Sequence, residues 1–365
     1  MAWAAARAAG LALHIQESID VAGEPGPGDE SRPLCIAIDL DAGHSRREAT
    51  VVRREIALAA VPVIGLGVEL GDLCFEEAFS SGIDDCCPRE ADSLGRRLRA
   101  IARAERPALE PQQHEAVIAD PDQSSRLLIG RVFRNAGFRV SFAQDAGEAL
   151  RLAARDEVRV VVCAAALDAE GEGGEPLSQR VPRQGGKAAW IINTPPKEIL
   201  AVQARFGLAG DALVAVHDAF SAPDNLLFVA NELLCRPMRN LRKSERVLYG
   251  TSVRFRSAGG GTEQLGYSYN VSAGGMYVRT LVPPEPHEAL WLELIPPRSD
   301  RRVHQEVEVV WRRAYGPGPG ATVPSGFGVQ VTGATAADAE RYQRGYEAFR
   351  AERTALRRSG PPAAE

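Results

Sequence analysis

The chain has no apolar run long enough to cross a bilayer. Its most apolar opening, "MAWAAARAAGLALH", is broken by Arg7, is shorter than a span, and lacks the layout of a signal peptide. These features predict a cytoplasmic protein with no membrane insertion. Metal and disulfide chemistry are equally poorly served. The six cysteines (35, 74, 86, 87, 163 and 235) are scattered, with no CxxC pair and no Cys/His cluster. Adjacent Cys86 and Cys87 make a poor disulfide framework, so reduced thiols and no metal are expected. The six histidines (14, 44, 114, 217, 287 and 304) fall in unrelated places and read as isolated surface residues. There is no nucleophile–base pair and no phosphate-cradling P-loop, so no catalytic residue is nominated and an enzyme is not expected. No helix-turn-helix pattern is present, which argues against a nucleic-acid partner.

What is present is a globular composition, 45% hydrophobic and 25% charged over 365 residues. At about 100–200 residues per domain that length implies two or three domains. The net charge of −5 hides an asymmetry. Residues 1–100 carry 17 acids against 10 Lys/Arg, whereas residues 236–256 carry seven basic side chains and a single acid, Glu245. A confined basic cluster on an acidic chain points to a compact anionic ligand rather than a long polyanion.

A linker, "RPALEPQQH" (106–114), precedes a regular alternation over 115–236. "AVIA", "FRVSFA", "VRVVVC", "AAWIIN" and "LVAVH" read as strands. "SSRLLIGRVFRNAG", "DAGEALRLAARD", "KEILAVQARFGLAG" and "PDNLLFVANELL" read as helices, the second opened by an Asp145…Glu148 capping pattern. The expected fold is a doubly wound parallel sheet. This stretch resembles the response-regulator receiver family. That resemblance places Asp120 at the first acidic position, with Pro121 replacing its neighbour and Asp122 as a partial substitute. Cys163 stands where the family has its phosphoacceptor Asp, Thr194 fits its place, and Asp218 replaces the Lys. Without a carboxylate nucleophile or a cation the copy reads as a pseudo-receiver, used for docking or dimerisation.

Residues 1–105 resemble a second, degenerate copy, shortened at its N-terminus: the first strand with its acidic pair is missing. "PLCIAIDL" places Asp39 at the phosphoacceptor position, Gly67 replaces the Thr, and Arg89 lies near the Lys position. Asp39 is therefore the one phosphoacceptor candidate, and Mg²⁺ is implied only for an active receiver copy.

From 237 to 352 the rhythm becomes short strands with Gly/Pro turns: "RVLYGTSVRF", "QLGYSYNV", "GMYVRT", "ALWLELI", "VEVVWRRAY" and "GFGVQV". This pattern predicts a small antiparallel barrel. A helix opened by Thr335 and Asp338 follows, with Tyr342, Tyr346, Phe349 and Leu356 at helical spacing, suited to capping the barrel; 353–365 form its end and a tail. The whole is expected to be two flavodoxin-like α/β domains followed by an antiparallel β-barrel with a C-terminal α-helix.

The last region resembles the PilZ family, which binds cyclic di-GMP. The resemblance rests on RxxxR at Arg242-Lys243-Ser244-Glu245-Arg246, on NxSxxG at Asn270-Val271-Ser272-Ala273-Gly274-Gly275, and on Trp311, Gly326 and Gly328 in the closing strands. It implies a cyclic di-GMP site made by Arg242, Arg246, Asn270, Ser272 and Gly275, with Lys243 and Gly274 as further candidates. The residue types suit that ligand, because a planar guanidinium pairs with guanine edges or phosphates and stacks on purines. The expected partners are the dinucleotide, an unidentified protein met through the receiver-like modules, and a second copy in a homodimer. Rival readings are a phosphorelay adaptor modified at Asp39 and a ligand-independent scaffold.

Overall fold

The computed structural model describes residues 4, 33–43, 45–55, 58, 61–104, 114–169, 175–183, 187–206, 213–234, 244–316 and 323–358. The chain forms two compact units. One is built from Met1–Glu105, Lys243–Gly316 and Ser325–Glu352; the other comprises Arg106–Arg242, Pro317–Pro324 and Arg353–Glu365.

The second unit contains a five-stranded parallel sheet: β4 (Glu115–Ala119), β5 (Arg139–Ala143), β6 (Val158–Ala164), β7 (Ala189–Thr194) and β8 (Val214–Asp218), in the order β5-β4-β6-β7-β8. That is the flavodoxin-like doubly wound order. The central strands carry apolar runs, residues 116–119 in β4 and 160–163 in β6, because both faces are covered. Helices α4 (Gln123–Asn135) and α9 (Asn225–Leu234) pack Ile129, Phe133, Leu226 and Leu233 on one face. On the other, α5 (Ala146–Ala153), α6 (Ala165–Ala169), α7 (Leu177–Arg183) and α8 (Ile199–Phe206) enclose Trp190, Val161 and Ile192. The caps are written in the sequence. Asp122 accepts the Ser125 N–H at 2.8 Å, and Asp145 accepts the Glu148 N–H at 2.8 Å while Glu148 accepts the Gln144 N–H at 3.1 Å. Helices α6 and α7 are short and lie in a stretch whose sequence carries no clear period.

His217 corrects the expectation of surface histidines. It is buried in β8, with Nδ1 3.0 Å from Asn193 Oδ1 and Nε2 3.1 Å from Ser221 Oγ. It faces the polar end of the sheet, where the register aligns Asn193 with His217.

In the first unit, β1 (Ile36–Asp39), β2 (Val63–Gly67) and β3 (Asp85–Pro88) form a parallel sheet in chain order, with helices α1 (Ser45–Arg54), α2 (Asp72–Ser80) and α3 (Ala91–Arg103). Packed with this block is a closed antiparallel barrel of six strands in the order β10-β13-β14-β15-β12-β11. The strands are β10 (Ser252–Ser257), β11 (Gln264–Ser272), β12 (Gly275–Arg279), β13 (Ala289–Leu294), β14 (Val303–Arg313) and β15 (Gly326–Ala334), closed by β10–β11 pairing. Strict alternation along β14 turns Val303, Val307 and Val309 inward onto Phe255, Leu292 and Phe327.

"RVLYGTSVRF" does not form one strand. It breaks into β9 (Val247–Leu248), added to β11, and β10, with Tyr249–Thr251 between. The break has a local cause. The Ser268 hydroxyl accepts from the Thr251 N–H at 3.0 Å and donates to the Tyr249 carbonyl at 2.6 Å, while a Cβ on Gly250 would lie 2.3 Å from the Tyr267 hydroxyl.

Helix α10 (Ala336–Arg358) begins where Thr335 caps it, accepting the Asp338 N–H at 3.2 Å. Tyr342 and Tyr346 are buried in the barrel core and Phe349 packs against it. The Leu356 side chain lies outside the described residues.

Candidate functional site

The glycine-bearing motif lies where β11 turns into β12. Asn270 to Ser272 close β11, Ala273 and Gly274 turn the chain, and Gly275 opens β12. The register pairs Asn270 with Tyr277, Val271 with Met276 and Ser272 with Gly275. Directly opposed residues share a face, and Val271 and Met276 belong to the barrel core, so Asn270, Ser272 and Gly275 lie together on the face turned away from it, where Asn270 (3% exposed) and Gly275 are buried and Ser272 is half-buried.

The end of the arginine motif lies next to this strand. β9 pairs Val247 with Val271 and Leu248 with Asn270. Arg246, half-buried, immediately precedes β9. Arg242 and Lys243 lie outside the described residues. Of the remaining basic residues, Arg254 is paired with Glu263 at 3.3 Å on the outer side of β10.

Each motif is tied to α10. The Tyr342 hydroxyl donates to the Ser272 carbonyl at 2.9 Å and reaches the Gly275 carbonyl at 3.3 Å; the Tyr346 hydroxyl donates to the Glu245 carbonyl at 2.6 Å. Burial pushes both phenols above their ordinary range, so they stay protonated donors. These two tyrosines were read from the sequence only as packing residues. A hydroxyl at both of two positions four residues apart, where apolar side chains would suffice, is the signal that could have marked them.

Inside the turn, the Ser272 hydroxyl donates to the Gly275 carbonyl at 3.1 Å. The requirement for glycine at 275 is met within the barrel: a Cβ would stand 2.0 Å from the Val329 carbonyl oxygen of β15. Gly274 is exposed, and a Cβ there would meet nothing within 4 Å, which leaves open space beside the turn.

Beside this site the outer face carries an aromatic row. Tyr277 stacks on Trp311 at 5.0 Å and meets Tyr269 edge-on at 6.1 Å. Gly328 sits between Tyr277 and Trp311 in the register, and a Cβ there would lie 2.5 Å from the Trp311 indole nitrogen.

The receiver-like positions lie at the carboxyl ends of the two parallel sheets. In the second unit, Asp120 follows β4 and accepts the Asp122 N–H at 2.8 Å, and burial pushes its carboxyl upward. Asp122 is occupied as the α4 cap. Cys163 is fully buried in β6, its thiol 3.5 Å from the Ala164 carbonyl. Thr194 is buried at the end of β7, and Asp218 closes its own turn by accepting the Phe220 N–H at 2.8 Å. In the first unit, Asp39 ends β1 and is paired with Arg89, which also holds Asp41 at 2.7 Å. Asp41 in turn accepts the Val68 N–H at 3.1 Å. Among the described residues no group of three or more His, Cys, Asp or Glu is placed to hold a metal, and no helix is long and apolar enough to cross a membrane.

Residues 240–348, a span that takes in the barrel and the start of α10, match the PilZ domain family. No curated protein matches the chain. Among solved structures, the chain is similar to the Bacillus subtilis inhibitor of motility MotI/DgrA, at 19% identity and a TM-score of 0.27, over 33% of this chain and 54% of that one. It is also similar to the PilZ domain of YcgR from Escherichia coli with c-di-GMP, at 12% identity and a TM-score of 0.25, over 32% of this chain and 97% of that one. A probable two-component response regulator/GGDEF domain protein is similar at 18% identity and a TM-score of 0.29, over 55% of this chain and 79% of that one.

Proposed function

We propose that this chain is a non-enzymatic receptor for cyclic di-GMP, bound on the outer face of the barrel by Arg242, Arg246, Asn270, Ser272 and Gly275, with Lys243 and Gly274 beside them. The observation that supports this reading is the pairing of Val247 with Val271, which brings the chain next to Arg246 alongside the strand that carries Asn270 and Ser272, with open space at Gly274. A guanidinium there can pair with a guanine edge or a phosphate while the side-chain-poor turn admits the ring. The bound ligand changes what the barrel and its neighbouring domain offer to a partner. It biases that arrangement only by its differential affinity for the two states. The controlled process, in this reading, is of the motility, surface-attachment or exopolysaccharide kind that the PilZ family implies.

Calorimetry on the full chain tests this. Wild type is expected to bind cyclic di-GMP, and Arg242→Ala and Arg246→Ala are each expected to weaken binding by about tenfold or more, at ~1–3 kcal/mol per bidentate contact. No heat from wild type, or undiminished affinity in both variants, would overturn the reading and leave a ligand-independent scaffold.

A further inference from the structure

The base of the arginine segment is gripped from outside the barrel. Five residues after Arg246 the chain reaches Thr251, which is fully buried. There Asp72, the first residue of α2 in the N-terminal block, accepts the Thr251 hydroxyl at 3.0 Å and the Ser252 N–H at 2.6 Å. The same helix holds the neighbouring strand. Tyr267 of β11 stacks on Phe75 with ring centroids 4.9 Å apart, and its hydroxyl donates to Glu76 at 3.3 Å. Tyr267 also fills the space a side chain at Gly250 would need. One turn of α2 therefore fixes both the step that ends β9 and the strand that carries Asn270. Without the Asp72 carboxylate, a buried hydroxyl and a buried N–H lose their acceptor, and leaving such groups unmade costs more than making them gains.

We infer that Asp72 is a positioning residue for the dinucleotide site: by pinning Thr251 and Ser252 it fixes the base of the arginine segment, so the N-terminal block sets the affinity of a ligand it does not touch. The effect on affinity rests on the cyclic di-GMP reading; the pinning itself does not. An Asn at position 72 can still accept the Ser252 N–H and donate to the Thr251 oxygen, whereas an Ala can do neither.

Hydrogen exchange and cyclic di-GMP calorimetry on the full chain, for wild type, Asp72→Ala, Asp72→Asn and Thr251→Val, decide the matter. Asp72→Ala is expected to exchange about tenfold faster over residues 247–253, with the rest of the barrel unchanged, and to bind about tenfold more weakly. Asp72→Asn should return both values to within about threefold of wild type. Thr251→Val, which removes one of the two donors from the barrel side, should move both in the same direction by less, and it serves in place of Asp72→Ala if that variant fails to fold. Faster exchange in a protein whose wild type binds no cyclic di-GMP upholds the pinning and removes the ligand reading. Unchanged exchange over 247–253, or faster exchange with wild-type affinity in a chain that binds, overturns the inference.

Discussion

The two α/β blocks of this chain bury charge in opposite ways. In the first unit, Asp85 and Arg97 are 1% and 2% exposed and lie 2.8 Å apart, and the barrel completes their shell: the Leu281 N–H donates to Asp85 at 2.9 Å and Arg97 donates to the Leu265 carbonyl at 3.3 Å. In the second unit, Glu115 is as buried, at 1%, yet its partners Arg139 and Arg155 reach it from solvent, 55% and 51% exposed. A buried ion pair is tolerated only when further hydrogen bonds offset the loss of water from both charges. The first block supplies some of those bonds itself, from Ser93 and Cys86, and takes the rest from the barrel. The second obtains them from within, and its sheet is covered on both faces by its own helices.

The largest effect that could break this comparison is Arg97→Ala. Removing one partner strands the other as a buried charge, and unfolding of the first unit in urea is expected to lose about 3–5 kcal/mol. Arg139→Ala in the second unit removes a solvent-reaching partner, and its expected cost is about 1 kcal/mol or less. Equal losses would mean that the barrel contributes nothing to the first pair.

Acid sharpens the contrast next. Burial holds the His217 imidazole down at about 4, against an ordinary value of 6.5. Between those values the unfolded chain binds a proton that the folded chain does not, so stability falls as pH drops from 6.5 towards 4 and levels below it. The full span is worth about 3 kcal/mol. Urea midpoints of the second unit at pH 7 and 4.5 should converge in His217→Gln relative to wild type; an unchanged pH slope would place the sensitivity elsewhere.

The smallest expected effect is at Asp39. Its pair with Arg89 is half exposed, so Asp39→Asn should change stability by about 0.5 kcal/mol at most. With Arg89 and the Asp41 backbone N–H already on this carboxylate, acetyl phosphate and Mg²⁺ are expected to leave it unlabelled by mass spectrometry. Labelling lost in Asp39→Asn would instead support a phosphorelay adaptor.

Much of the architecture was legible because it is local. Period-two alternation over residues 303–313, apolar runs such as "VRVVVC", and the Asp145–Glu148 cap each determine their element through near neighbours. The rest depends on partners far along the chain. The break between β9 and β10 arises from Tyr267 and Ser268 of another strand and from Asp72 nearly two hundred residues earlier. Phe75 and Phe79 pack on Tyr267, and Phe79 lies under the Arg279 guanidinium at 3.7 Å, contacts far along the chain that no local pattern records. His217 looked isolated because Asn193 and Ser221 become its neighbours only once β7, β8 and the loop after β8 are in place. The Tyr346 bond escaped notice because its acceptor is a main-chain carbonyl, which no side-chain pattern records.

Tyr342 and Tyr346 stand four residues apart on α10, a rise of about 6 Å along its axis. One hydroxyl is spent on the glycine-rich turn and the other on the arginine segment. The helix thus works as a caliper whose jaws are two phenols: sliding or rotating it by a single residue would lift both from their carbonyls in the same movement. The spacing between the turn at Ser272 and the chain at Glu245 is gauged by one helix.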